Sequence, residues 1–262
     1  MSMRLTQIEW PVVDLSARLA DSDAVVCIAS LLSCGEDLRG CLALLSPTER
    51  QRYFDYTNDV VGRRFACGRG LVRSMLGSVL GLAAVDVPLR EGLHGKPYLA
   101  AQTARAVWFS VSHADELLVV AMSRSADVGI DVERARGFEH WQRVADRVLD
   151  EQERRQLDAA IAAGDDSSEA FLRHWCRVEA ELKAIGCGIA GLEAHRAGMR
   201  PRGLRLADLA PLKLPPDVAA TGYRFQAAVA LCTPGADSLR QASPASAQAS
   251  SPTTRPASAS TP

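Results

Sequence analysis

Apolar and polar positions alternate strictly through Asp127-Val128-Gly129-Ile130-Asp131-Val132-Glu133. A strand repeats every two residues, so Val128, Ile130 and Val132 face one way and Asp131 and Glu133 the other. The two carboxylates then stand on one face, about 7 Å apart along the backbone. Apolar runs predict further strands over 8–13, 25–32, 107–111, 117–122 and 223–231. Ser46-Pro47-Thr48-Glu49 reads as a capping box with proline in the first turn of a helix. A long helix is expected over 58–81, burying Phe65, Val72, Met75, Leu76, Val79 and Leu80 and exposing Arg63, Arg64, Arg69 and Arg73. Gly68 and Gly70 lower the helix propensity of its middle. Two more helices are expected over 139–163 and 169–185, the second stopped by Gly186. Phe171, Trp175, Val178, Leu182 and Ile185 form one apolar stripe on it. Strands and helices mix without a βαβ rhythm, which predicts an α+β fold.

Composition changes this picture in one place. The segment 234–262 is rich in Ala, Ser, Pro and Thr, and has no large apolar residue after Leu239. It cannot bury enough surface to offset its ordering entropy, so a disordered tail is expected there. The rest is ordinary: 262 residues, 47% apolar, 23% charged, net charge −1. Such a balance excludes nucleic-acid binding driven by bulk charge, and no apolar run is long enough to span a membrane. The N-terminus lacks a basic-then-apolar export pattern. Seven cysteines without a CxxC or a Cys/His cluster argue against a disulfide frame or a zinc site. A cytoplasmic protein with idle thiols is expected.

Candidate chemistry sits on short motifs, each with a plain alternative. Asp131 and Glu133 could be the wet face of an edge strand. With a third carboxylate they would suit a hard cation such as Mg²⁺. Glu179 and Lys183, one helical turn apart, could be a surface ion pair worth a few tenths of a kcal/mol. Gly95-Lys96-Pro97 could be a turn; equally, Gly95 admits a close backbone and Lys96 offers a charge to phosphate. Ser112 and His113 end a strand, where ligands meet sheets.

The order and spacing of these motifs resemble the 4′-phosphopantetheinyl transferase superfamily, in its longer, surfactin-synthetase-activating branch. That family carries GKP, then F-N-x-S-H-S, then G-I/V-D-I/V-E, then W-x-x-K-E-A/S-x-x-K-A-x-G. Here they stand as Gly95-Lys96-Pro97, Phe109 to Ala114, Gly129 to Glu133, and Trp175 to Gly186. The segments 45–53, 63–73 and 145–153 also look like the family's pattern, so the resemblance covers about 40–233.

The resemblance implies a pseudo-dimer of two similar α/β subdomains, with the site in the cleft between them. The expected subdomains are 1–112 and 113–233. It implies transfer of the 4′-phosphopantetheine arm of coenzyme A onto a serine of an apo acyl or peptidyl carrier protein, by a monomer. By family pattern Asp131, Glu133 and Glu179 hold Mg²⁺, with Mn²⁺ as a substitute. Glu179 is the candidate base, and Lys183 contacts phosphate. Ser112 and His113 reach coenzyme A phosphates. Lys96, Arg64 and Arg52, with Gly95 and Pro97, grip the nucleotide end. Three positions depart from the pattern. Val178 replaces the lysine before the motif's glutamate, Ser110 the asparagine, and Ala114 the last serine. Val178 keeps open the alternative of a weak or inactive homologue that binds coenzyme A or a carrier as a regulator. A Mg²⁺-dependent phosphohydrolase and a plain interaction module are the other rivals.

Overall fold

The runs Ala24–Ser30 and Leu117–Ser123 are buried along their whole lengths, so each must lie inside a sheet covered on both faces. The computed structural model, which describes residues 3–92, 97–100 and 107–233 (the Cys34 side chain excepted), places them so. Its strands are β1 (Leu5–Glu9), β2 (Ala24–Ser30), β3 (Leu89–Glu91), β4 (Pro97–Leu99), β5 (Trp108–Ala114), β6 (Leu117–Ser123), β7 (Asp127–Arg134), β8 (Leu204–Asp208) and β9 (Phe225–Cys232). Its helices are α1 (Leu15–Asp21), α2 (Leu31–Glu36), α3 (Leu38–Ala43), α4 (Pro47–Phe54), α5 (Asp59–Leu80), α6 (Trp141–Val148), α7 (Glu151–Ala162), α8 (Ser167–Ile185), α9 (Leu192–Arg196) and α10 (Pro216–Ala219).

The first sheet runs β1-β2-β6-β5, with β1 parallel to β2 and the other neighbours antiparallel. The second runs β7-β9-β8 and is antiparallel throughout; β3 and β4 form a separate ribbon. The inner faces of the two sheets meet. Val26, Ile28, Val119 and Ala121 of the first pack on Val128, Ile130, Val132 and Val229 of the second. Helix α5 covers the outer face of the first sheet with Cys67, Val72, Met75, Leu76 and Val79. Helix α8 covers the second, laying Cys176, Ala180 and Ala184 on Ala228 and Ala230 of β9. The order helix, sheet, sheet, helix is the expected α+β arrangement of two units.

Strand pairing divides these units in the turn 124–126, because β5 and β6 belong to the first sheet. A division at 112/113 would cut β5 in two. The helix expected over 139–163 is two helices: the chain turns extended at Leu149, and Asp150 opens α7 with its own capping box. The apolar spacing on either side hid that break. Arg73, expected at the surface, is 2% exposed. Its guanidinium donates to Glu49 Oε2 (2.5 Å) and to the carbonyls of Ala84, Val85 and Val87. Other ends match: Ser46 and Glu49 form the capping box of α4, and Gly186 closes α8 in the left-handed region at φ 79°. The tail 234–262 lies outside the described residues. No helix among the described residues is long and apolar enough to cross a membrane. Cys27, Cys41, Cys67 and Cys176 are buried, and Cys187 and Cys232 are half-buried.

Candidate active site

Gly129 explains how the site is assembled. It shares a face of β7 with Asp131, and α8 lies directly on it. A Cβ there would meet Ala180 O at 1.9 Å and Ala184 N at 2.5 Å. Glycine on the strand and alanines on the helix let the two backbones touch. That contact fixes α8 in height and rotation, and it sets Lys183, next to Ala184, against the strand. The Lys183 ammonium donates to Asp131 Oδ1 at 2.7 Å and to the Ile130 carbonyl at 3.1 Å. Lys183 thus reaches across to the strand, which the alternative of a plain surface pair with Glu179 did not foresee.

Asp131 is 5% exposed. Besides Lys183, its Oδ1 accepts the Ser112 hydroxyl at 2.9 Å, while its Oδ2 is buried with no hydrogen-bond partner. Glu133 and Glu179 flank it, both half-buried. Burial raises the pKa of Glu133, and the Asp131 charge adds to this, against an opposing hydrogen bond from Trp175. Burial also raises Glu179, with Asp131 again adding and Lys183 opposing. Beneath them Cys176 is pushed well above its ordinary value by burial and by the charges of Asp131 and Glu133, so it stays a thiol.

The first sheet supplies the other wall. Ser110 and Ser112 of β5 lie along the open edge of β7. Their hydroxyls accept its Ile130 N–H (3.2 Å) and Val132 N–H (3.4 Å). His113 projects into solvent at the same end of β5. The protein wall beside it, and then the positive charges of Lys183 and Arg64, hold its imidazole below the usual value. Arg64 on α5 pairs with Glu116 of the β5–β6 turn, and its Nε is buried without a partner.

Chain matches now bear on this arrangement. The family description "4′-phosphopantetheinyl transferase superfamily" matches residues 127–207, and "4′-phosphopantetheinyl transferase, N-terminal" matches 33–125. The 4′-phosphopantetheinyl transferase HetI of Nostoc sp. is 32% identical over 200 residues, 72% of this chain and 84% of that protein. The chain belongs to the 4′-phosphopantetheinyl transferase superfamily. A putative 4′-phosphopantetheinyl transferase of Synechocystis sp. is 30% identical over 152 residues, 58% of this chain and 61% of its own. The L-aminoadipate-semialdehyde dehydrogenase-phosphopantetheinyl transferase of Xenopus laevis is 27% identical over 161 residues, 57% and 52% of the two chains.

In this member of the superfamily, Asp131, Glu133, Glu179, Lys183, Ser112 and His113 meet at the seam between the sheets, with Arg64 beside His113. They are not gathered into a ready cage. Among the described residues no three His, Cys, Asp or Glu side chains are grouped closely enough to hold a metal. Arg52 is elsewhere, on α4. It pairs with Glu91 of β3 at 2.9 Å and lies over the Phe65 ring at 4.8 Å. It lines a groove of about 460 Å³ with Arg69, Glu49 and Glu91. Gly95 and Lys96 lie outside the described residues, and Pro97 opens β4. Val178 is 0% exposed and packs with Phe171 and Leu182 against Leu157 of α7, so it takes no part in the site. Arg177 is committed to Asp208 through two bonds, at 2.7 and 2.6 Å. The motifs led directly to the carboxylates. They gave no sign that Ser110 and Ser112 close the edge of β7, or that Trp175 reaches Glu133.

Proposed function

We propose that the chain transfers the 4′-phosphopantetheine arm of coenzyme A to a serine of an apo acyl or peptidyl carrier protein. The observation that carries this is the meeting of Lys183, Asp131 and Ser112 at the seam, flanked by two carboxylates, in a member of this superfamily. The serine oxygen attacks the β-phosphorus of the pyrophosphate. The bond to the bridging oxygen breaks, and 3′,5′-ADP leaves. Charge grows on the bridging and outer oxygens, so positioned cations do most of the work. Lys183 faces that charge. Glu179 takes the serine proton. Its raised pKa brings it nearer to neutral pH, which suits a base. His113 receives the phosphates, and Lys96, Arg64 and Arg52, with Gly95 and Pro97, the nucleotide end.

The donor chemistry fits a divalent cation. Asp131 Oδ2 is buried and unpartnered, and the two half-buried carboxylates beside it are burdened by burial and by the charge of Asp131. Asp131, Glu133 and Glu179 would hold Mg²⁺, and oxygen ligands shared with phosphate are what that ion prefers. When bound it would neutralise the pyrophosphate. We place the protein in the cytoplasm, a reading supported by seven cysteines without a CxxC or Cys/His cluster, and take it to act as a monomer by resemblance to the longer branch of its family.

Intact-mass spectrometry on a panel of apo carriers, with coenzyme A and Mg²⁺, tests the proposal. Gain of one phosphopantetheinyl group on at least one carrier is expected. Binding of coenzyme A with no gain on any carrier would favour the regulator instead.

A further inference from the structure

We infer that Ser112 is a positioning residue for Asp131: with Lys183 it ties down Oδ1, so that Oδ2 alone is left for a ligand. This rests on the proposed transfer reaction. Ser112 is 8% exposed, and its hydroxyl has one proton to give. An ionised carboxylate only accepts, so the 2.9 Å contact to Asp131 Oδ1 commits that proton. The oxygen's lone pairs face the Val132 N–H and the Lys183 ammonium, both at 3.4 Å. Those two contacts are long, and the short one sets the hydroxyl's direction. With its bonding capacity used and its surface covered, Ser112 has nothing to offer a phosphate of coenzyme A. Oδ2 of the same carboxylate is the opposite case, buried and unsatisfied. Such an atom costs stability until a ligand reaches it.

Ser110 supplies an internal comparison. It sits two residues earlier on the same face of β5 and is equally buried, at 1% exposure. It makes the same kind of bond to β7, accepting the Ile130 N–H at 3.2 Å. The bonds described for it do not include a carboxylate. If the serines matter only by fastening β5 to β7, the two should behave alike. If Ser112 aims Asp131, they should part.

The experiment compares Ser112→Ala, Ser112→Thr and Ser110→Ala in the full chain. Three quantities are measured: the transfer rate, coenzyme A binding by calorimetry, and Mn²⁺ binding by electron paramagnetic resonance with coenzyme A present. Loss of a group that orients a ligand typically costs about 10–100-fold. Ser112→Ala should lose that much in kcat and in Mn²⁺ affinity, while its Kd for coenzyme A stays within about twofold. Ser112→Thr, which keeps the hydroxyl, should recover most of the loss. Ser110→Ala should melt lower than the wild type yet keep kcat and Mn²⁺ affinity. Three results would overturn the inference: wild-type kcat and Mn²⁺ affinity in Ser112→Ala, a Kd for coenzyme A raised tenfold at unchanged kcat, or equal losses in the two alanine variants. A wild-type chain that modifies no carrier would remove the transfer reaction, and the Mn²⁺ comparison would then decide the role of Ser112.

Discussion

The ammonium of Lys183 lies 2.7 Å from Asp131 Oδ1, joining the helix over the second sheet to the strand beneath it. The carboxylate is buried and the lysine half-buried, so each is the other's main compensation for lost water. Lys183→Met should lower kcat by about 10²-fold or more, as expected for loss of a donor at growing charge. It should also lower stability by about 1–3 kcal/mol, since Asp131 keeps Ser112 as a partner. Transfer kinetics and urea denaturation read the two effects separately. Near-normal kcat would remove Lys183 from the reaction.

Gly129→Ala should damage stability and activity together. The added methyl meets backbone atoms of α8 at 1.9 and 2.5 Å, and backbone cannot swing aside as a side chain can. The helix must lift, at a cost of about 3 kcal/mol or more. Lifting it carries Lys183 and Glu179 away from Asp131. A variant as stable as the wild type in urea would contradict the tight seating of α8.

Restoring the family's lysine by Val178→Lys should fail. Val178 is fully enclosed between α8 and α7, and a charge placed there has no partner. A loss of several kcal/mol is expected, on the order of 3 or more, seen as a collapse of the melting temperature. A stable and faster Val178→Lys enzyme would show that this helix face reaches the site.

Stability should fall at alkaline pH through a cluster remote from the chemistry. His195, on α9, is 1% exposed. It bonds Glu181 at 3.0 Å through Nδ1 and Glu153 at 2.9 Å through Nε2. Arg200 closes the same group, reaching Asp150, Glu153 and Glu181. Burial opposes protonation of His195, but the two carboxylates outweigh it and lift its pKa from 6.5 to about 9. The folded value lies above the unfolded one. The stabilisation is therefore complete below about pH 6.5 and disappears as pH rises through about 9. It amounts to a few kcal/mol in order of magnitude. Asp150 and Glu153 have lowered pKa values, against burial, through bonds to Glu153 N–H, Arg200 and His195. Their share is present at neutral pH and is lost on acidification. Melting curves between pH 6 and 10 check the alkaline limb, which His195→Gln should flatten.

Local patterns carried much of this fold in the sequence. The capping box at Ser46, the glycine stop at Gly186 and the alternation in β7 all depend on neighbours in the chain. Asp150 was harder: its capping box with Glu153 was present in the residues, but the apolar spacing ran across it. Arg73 defeated the pattern because its burial depends on Glu49 and three carbonyls brought together only by the fold. The same holds at the site. Alternation put Asp131 and Glu133 on one face, yet the choice of Asp131 by Lys183 depends on how closely α8 can approach β7. Gly129 determines that approach, and nothing in its immediate neighbours announces it.

The two serine hydroxyls of β5 have a consequence beyond geometry. β7 ends its sheet, and a bare strand end-row of N–H groups is a template on which another molecule can add a strand. Here Ser110 and Ser112 occupy that row from within the same chain. The seam that assembles the chemistry thus also acts as a guard against self-association, and parting the two layers would present neighbouring molecules with a ready edge for fibril-like stacking.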